Sequence, residues 1–480
     1  MKTLNYALLL AALCSTSCYS FRGSKGGGQT TAAATRQASA DDILLPAGYQ
    51  IEIVAEGLNY PTALTTDDNG GLYVTEAGYV YGDVFTTPRL LRLNNSQPEV
   101  IYSGDKNGPW TGVTYHDGSF YISEGGQTAG GKMLKVTRDG KASVLLDSLP
   151  GMGDHHTNNP VIWKDHLYFG QGTATNSGVV GPDNADFGWL KRFPTFHDLP
   201  CEDIVLAGVN FESNNHLGTG KANTGAYLPF NTASRPGQTI KGCIPCSGAI
   251  LRIPLRGGKT EVVAWGLRNP YGLALDRTRN KLYVAENGAD DRGSRPIFGA
   301  PDVLWEVKEG AWYGWPDYVA GLSLKDHKGF KAPGSAPLKP LLLKEPGEVP
   351  KPVAKLGVHS SSNGTDFSTS DQFGFKGEAF VAQFGDMAPN VGKVWKPVGF
   401  KVVRVDPETG VVTNFAINKG KHDGPASWHR ARGLERPVSV TFSADGKSLY
   451  VVDFGIMLMR DGQVLPQPNT GVIWKISKKS

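Results

Sequence analysis

The stretch RNPYGLALDRTRNKLYVAENG, Arg268–Gly288, decides how the whole chain is read. A polar pair and a proline open it. An alternating apolar segment follows, then a turn rich in Asp, Arg and Asn, then the aromatic and β-branched run KLYVAE. Period-two alternation on both sides of a polar turn is the pattern of a β-hairpin. The same phrase recurs at Tyr60 (YPTALTTDDNGGLYVTEA), Trp110 (WTGVTYHDGSFYISEG), Asn158 (NNPVIWKDHLYFGQG), Ser361 (SSNGTDF…GEAFVAQFGD) and Arg436 (RPVSVTFSADGKSLYVVDFG).

Each copy is followed by a third alternating strand, starting at Leu90, Met133, Ile250, Val303, Val402 and Val472. Most run on into a fourth, such as EVIYSG, ASVLLDSL and TEVVAWGL. The last copy lacks its fourth strand, and YQIEIVAEGL at Tyr49 can supply it from the other terminus. The expectation is an all-β chain, a six-bladed β-propeller whose N-terminal strand closes the last blade. Closure pairs the two ends and leaves only short edges. An insertion of about seventy residues splits blade 3, and a Pro- and Lys-rich stretch from Ala320 to Lys355 precedes blade 5. Connections this long are usually walls or lids of a site.

The bulk properties agree. The chain has 480 residues, 40% hydrophobic, with 61 glycines and 31 prolines, which suits many turns and little helix. A net charge of +4 without a long basic run gives no footprint for nucleic acid. Lys2 precedes a short apolar run and then STSC, a pattern similar to a bacterial lipoprotein signal. Residues 1–18 are read as that signal, with Cys18 the lipidated residue, a plain secretory signal being the alternative. Residues 19–41 read as a flexible tether and 42–480 as the propeller. The protein is expected to be exported to the periplasm or outer membrane, touching a membrane only through the lipid. Cys201, Cys243 and Cys246 then have access to an oxidising compartment. A disulfide between two of them is the plainest reading; zinc on Cys243 and Cys246 is the alternative.

In a propeller the residues before each first strand crowd the axis on one face. Here those are Tyr60, Trp110, Asp154 with His155 and His156, Arg268 with Asn269, His359 and Arg436. Arginines pair carboxylates, aromatics sandwich flat rings, and a neutral histidine beside a carboxylate accepts a proton. Adjacent His155 and His156 point opposite ways in extended chain, which disfavours a shared metal.

The phrases WGLRNPYGLALD, VAENGADDRG and KEGAWYGWPDY, with DHHTNN…LYFGQG, resemble the glucose/sorbosone dehydrogenase family, the soluble quinoprotein sugar dehydrogenases, on its sorbosone-type side. The resemblance implies pyrroloquinoline quinone on the propeller axis with a calcium ion, a small sugar as substrate and a separate electron acceptor. It implies His155 as general base, with His156 the alternative one residue out of register, and Asp154 or another carboxylate orienting it. It implies Arg268, Asn269, Asn287 and Arg436 as cofactor contacts, and carbonyls of Gly288 and Ala289 as calcium ligands. Two positions depart from the glucose-type pattern. Gln383, before Phe384 and Gly385, stands where those enzymes place a lysine and is read as a cofactor contact in its place; Val438 stands where they place a second arginine, for which Arg430 or Arg432 could substitute.

Two other functions fit a six-bladed propeller: a non-catalytic module binding a glycan or a protein, and a metal-dependent lactonase-like hydrolase. The acidic NGADDRG reads either as a calcium loop or as a solvated turn. GQTAGGKM, from Gly126, fails as a phosphate loop because Met133 replaces Ser or Thr and the segment joins two strands.

Overall fold

The computed structural model describes residues 35–479, apart from 81, 82, 85, 95–97, 127, 128, 327, 389, 393, 395, 461 and 462. The signal segment, Cys18 and most of the tether lie outside the described residues. Six four-stranded antiparallel sheets form the blades of a propeller, as the repeat predicts. The innermost strands are Pro61–Thr66, Trp110–His116, Thr157–Trp163, Pro270–Asp276, Ser362–Phe367 and Pro437–Phe442. They are the six recurring phrases.

Local chemistry makes the hairpins. In blade 2, Asp117 and Gly118 both adopt positive φ (44° and 75°) between the paired residues His116 and Ser119. A two-residue loop of that kind matches the twist of its strands. Second strands such as SFYISE, Ser119–Glu124, are buried along their whole length, whereas outer strands such as Glu99–Ser103 are half exposed. Near the axis the inner strands approach so closely that a Cβ on Gly272 would lie 1.9 Å from the Asn363 carbonyl oxygen of the next blade. Only glycine fits there.

Tyr49–Leu58 pairs antiparallel with Gly471–Lys478 and completes blade 6, from Tyr49 opposite Lys478 to Leu58 opposite Gly471. One strand was not foreseen: Ile43–Leu44 adds a fifth strand to blade 5, beside Val412–Asn418. The tether is also shorter than its reading to residue 41. The Arg36 side chain is buried, forming an ion pair with Asp453 at 2.6 Å and donating to the Thr470 carbonyl, so the chain is fastened from Arg36 onward.

The blade 3 insertion separates His166–Gln171 from Ala249–Pro254 and carries two short helices, Pro182–Asp186 and Trp189–Arg192. The Pro- and Lys-rich stretch lies inside blade 4, between Pro301–Glu306 and the outer strand Ala354–Val358. The two insertions meet through main-chain bonds, Ala207 N–H to Leu341 O and Leu343 N–H to Val205 O, and form one wall. A disulfide joins Cys201 to Cys246 across 45 residues, leaving Cys243 exposed with a free thiol. Cross-linking a loop of that length restricts the unfolded chain, so Cys201→Ser should lower unfolding free energy by about 2–4 kcal/mol in a denaturant titration. Cys243→Ser should leave the midpoint where it is.

Candidate active site

One residue recurs at the end of every second strand: Glu76, Glu124, Gln171, Glu286, Gln383 and Asp453. All are buried. Most bind the chain arriving at the first strand of the same blade. Asn59 N–H donates to Glu76, the Trp110 indole to Glu124, the Thr157 hydroxyl to Gln171, Arg268 N–H to Glu286, and Arg436 N–H to Asp453. Gln383 donates instead, to the carbonyl of Leu356 and the hydroxyl of Ser362. Gln383 therefore holds the backbone and does not line the cavity, which corrects its reading as a cofactor contact. The signal was in the sequence as the phrases TEA, SEG, GQG, ENG, QFG and DFG.

The ring of rim residues closes only in part. Tyr60 stacks on Phe454, 5.5 Å between centroids, and Trp110 is fully buried. Arg436 is 1% exposed, lies between the rings of Phe384 and Phe400, and donates to the carbonyls of residues 384–386. Arg436 thus supports the wall from behind, and its reading as a direct contact is corrected. Blades 3, 4 and 5 hold an open cavity between them. Asp154, His155, Arg268, Asn269 and His359 of the rim line it, together with Asn287 and Gly288; Ala289 is buried behind.

His155 is backed by main chain. Its Nδ1 lies 2.9 Å from the Thr173 carbonyl and 3.0 Å from Thr173 Oγ1. That hydroxyl donates to Thr175 O, so Nδ1–H is the donor and Nε2 keeps its lone pair. The ring can sit so close to this strand because residue 172 is glycine; a Cβ there would lie 2.3 Å from His155 Cβ. Burial, then Arg268 and Arg292, hold the imidazole well below its usual range, with Asp290 opposing them. His156 turns away: its Nδ1 donates to Asn158 Oδ1, its edge meets Tyr271, and burial lowers it to about 4.

Asp154 does not orient His155. It accepts from the Asn184 amide and from Arg292 at 2.9 Å. Arg292, not singled out in the sequence, also binds Asp183 at 2.5 Å and Asp290 at 3.0 Å. Arg268 binds Asp290 at 3.0 Å and the main-chain and side-chain oxygens of Asn176. His359 Nδ1 stands 3.6 Å from Asp290. The segment NGADDRG is thus not a solvated turn; its Asp290 is the hub of an ion-pair cluster. Its two arginines hold Asp290 well below the usual carboxylate range against the opposing effect of burial. Asn269 receives from Asn158 and donates to Asn287, which fixes both amides at the floor. Asp302 accepts from Gly288 N–H, Ser362 N–H and the Ser360 hydroxyl. Phe187 and Trp189 from the blade 3 insertion add an aromatic wall.

Residues 242–388 match the glucose/sorbosone dehydrogenase family. That span holds Arg268, Asn269, Asn287–Arg292, Asp302 and His359, and stops short of His155 and Arg436 on either side. An uncharacterized protein of Borreliella burgdorferi is 30% identical over 218 residues, 44% of this chain and 51% of that one, so the match spans about half the length of that curated relative. Among solved structures, the calcium structure of a Trichoderma reesei carbohydrate-active enzyme of family AA12 superposes with a TM-score of 0.56 at 15% identity, covering 92% of this chain and 98% of that one. The pyrroloquinoline-quinone-bound aldose sugar dehydrogenase of Streptomyces coelicolor gives 0.51 at 15% identity, covering 91% and 100%. At such identities the likeness is one of fold. The stretch that floors the cavity and supplies Arg268, Asp290 and Arg292 thus matches the glucose/sorbosone dehydrogenase family, the family whose phrases the sequence resembles.

Proposed function

We propose that this protein oxidises an aldose or sorbosone-like sugar, with His155 taking the proton from the hydroxyl and a quinone cofactor bound beneath it. The observation that carries this reading is the state of His155: held towards its neutral form, fixed through Nδ1, and lining the cavity with Nε2 left as an acceptor. A general base needs that arrangement.

The residues fit pyrroloquinoline quinone and calcium in their donor chemistry. Arg268 and Arg292 line the cavity as two guanidiniums, each now held by aspartate, so a carboxylate of the cofactor would take the place of one carboxylate with another. Asn269 and Asn287 offer amides. Carbonyls at Gly288 and Ala289 and the carboxylate of Asp302 supply the oxygen ligands that a hard divalent cation takes. When bound, the quinone supplies the hydride acceptor. The chain's own part is to hold the sugar hydroxyl against Nε2, to keep the imidazole neutral and, through Phe187 and Trp189, to narrow the entrance. The same reading includes export and an anchor at Cys18, which mass spectrometry of the mature N-terminus tests; an unmodified start elsewhere overturns the anchor.

A non-catalytic binding module is the second reading, favoured by one observation: among the cavity-lining residues no arginine lacks a carboxylate partner. Calorimetry with the quinone and calcium separates the two. Binding that weakens about tenfold or more in Arg268→Ala is expected; no binding to the parent protein leaves the second reading standing.

His155→Ala should lower kcat by about 10²–10⁴-fold, roughly 3–5 kcal/mol of barrier, with quinone affinity near that of the parent. His156→Ala should be milder. The acid limb of the kcat/KM profile should fall below the usual histidine range of about 6.5. The imidazole is held low, so it stays unprotonated down to more acidic pH, and a limb at or above neutral pH would contradict the assignment.

A further inference from the structure

His155 has no carboxylate on its ring, yet one stands directly behind the segment that holds it. Asp198, on the blade 3 insertion, is 1% exposed. Its Oδ1 accepts the Ala174 N–H at 2.7 Å and its Oδ2 the Thr175 hydroxyl at 2.5 Å. Those residues follow Thr173, whose carbonyl receives both His155 N–H and His155 Nδ1–H. Asp154 N–H bonds Ala174 O in the same short ladder. The segment 173–175 is therefore gripped on one edge by Asp154 and His155 and on the other by Asp198.

Asp198 is itself fixed. Leu199 and Ser247 exchange main-chain and side-chain bonds, next to the Cys201–Cys246 disulfide. The carboxylate thus has a rigid mount, and its two short bonds pass that rigidity to the carbonyl that orients the imidazole. Neither the sequence phrases nor the family match at residues 242–388 point to this residue.

We propose that Asp198 is the positioning residue of the general base, setting the tautomer and angle of His155 through the 173–175 segment. It takes the place that Asp154 was expected to fill, but acts through the backbone and not on the ring. Burial raises its own carboxyl to about 7, so the grip is made by a group that titrates near neutrality.

The inference rests on His155 being the base, so the test has one arm that needs no turnover. Nitrogen-15 NMR of the full-length protein reads the His155 ring directly. The parent should show a single Nδ1–H tautomer; Asp198→Asn should show two tautomers in exchange or a shifted one. A ring spectrum identical to the parent's overturns the proposal, whatever the activity. In steady-state assays with an aldose, added quinone, calcium and an artificial acceptor, Asp198→Asn should lower kcat about 10–100-fold and leave KM within about threefold. In a His155→Ala background the same change should have no further effect on kcat. An equal loss in both backgrounds means that Asp198 acts on the fold at large, and the proposal fails. Should Asp198→Asn not fold, Thr175→Val, which removes one of the two bonds, is read in the same way. Absence of turnover in the parent would defeat the dehydrogenase reading and leave the NMR arm to decide Asp198.

Discussion

Six buried groups at the ends of the second strands hold the molecule's functional geometry. Five grip the chain just where it reaches the axis or enters a first strand, and the sixth, Gln383, holds a carbonyl and a hydroxyl on that chain. Four of them are carboxylic acids, and burial lifts Glu286 to about 7. An unpaired carboxylate in such a position would be strongly disfavoured. Each is instead met by main-chain or indole N–H donors, so the residue that stabilises the blade also sets the height of the rim. The fold and the site share one set of hydrogen bonds, and a change at any of these six positions would move a rim residue along with its blade.

The ring is pseudo-symmetric, but the site is not. Blades 1, 2 and 6 turn their entry residues inward: Tyr60 onto Phe454, Trp110 into the core, Arg436 between two phenylalanines. Blades 3 and 4 carry the two long insertions, and together with blade 5 they leave space. The apolar body of an aromatic residue gains most by burial, so the half of the ring with aromatics closes. The half with Asp154, His155, Arg268 and His359 remains open because those groups need partners that only the insertions and the acidic loop provide. Thr173 and Asn184 from the blade 3 insertion meet His155 and Asp154, and Asp290 from the loop meets Arg268 and His359.

The architecture was readable because strand period and turn chemistry are local properties. The six phrases, the three-strand continuations and the closing strand at Tyr49 all follow from residues within a few positions of one another or from a simple count. The rim positions followed from the register. The roles on the rim did not, since they depend on partners far along the chain: Arg292 reaches Asp154 across 138 residues and Asp183 across 109. Nothing in NGADDRG announces which carboxylate its arginine will meet. Gln383 was misread for a different reason. Its meaning lies in comparison with the five other second-strand ends, and the lysine of the glucose-type enzymes at that position drew attention from that internal comparison.

The same limit explains the orientation of His155. A histidine next to an aspartate in sequence invites the reading that the two work together, yet in extended chain neighbours face apart. Asp154 faces the ion-pair cluster, and His155 faces the segment 173–175 that follows the second strand. A carbonyl in place of a carboxylate on Nδ1 fixes the tautomer without adding a negative charge beside the ring. Two guanidiniums already stand nearby, and together with burial they disfavour the imidazolium. On the proposed reading of His155 as the base, the result is an imidazole that favours its neutral, accepting form and would hold the proton weakly once it had taken it. Such a group suits a step in which the proton leaves the hydroxyl as its carbon is oxidised and is then passed on to water. The rigidity of its mount, more than its basicity, then governs how well it performs.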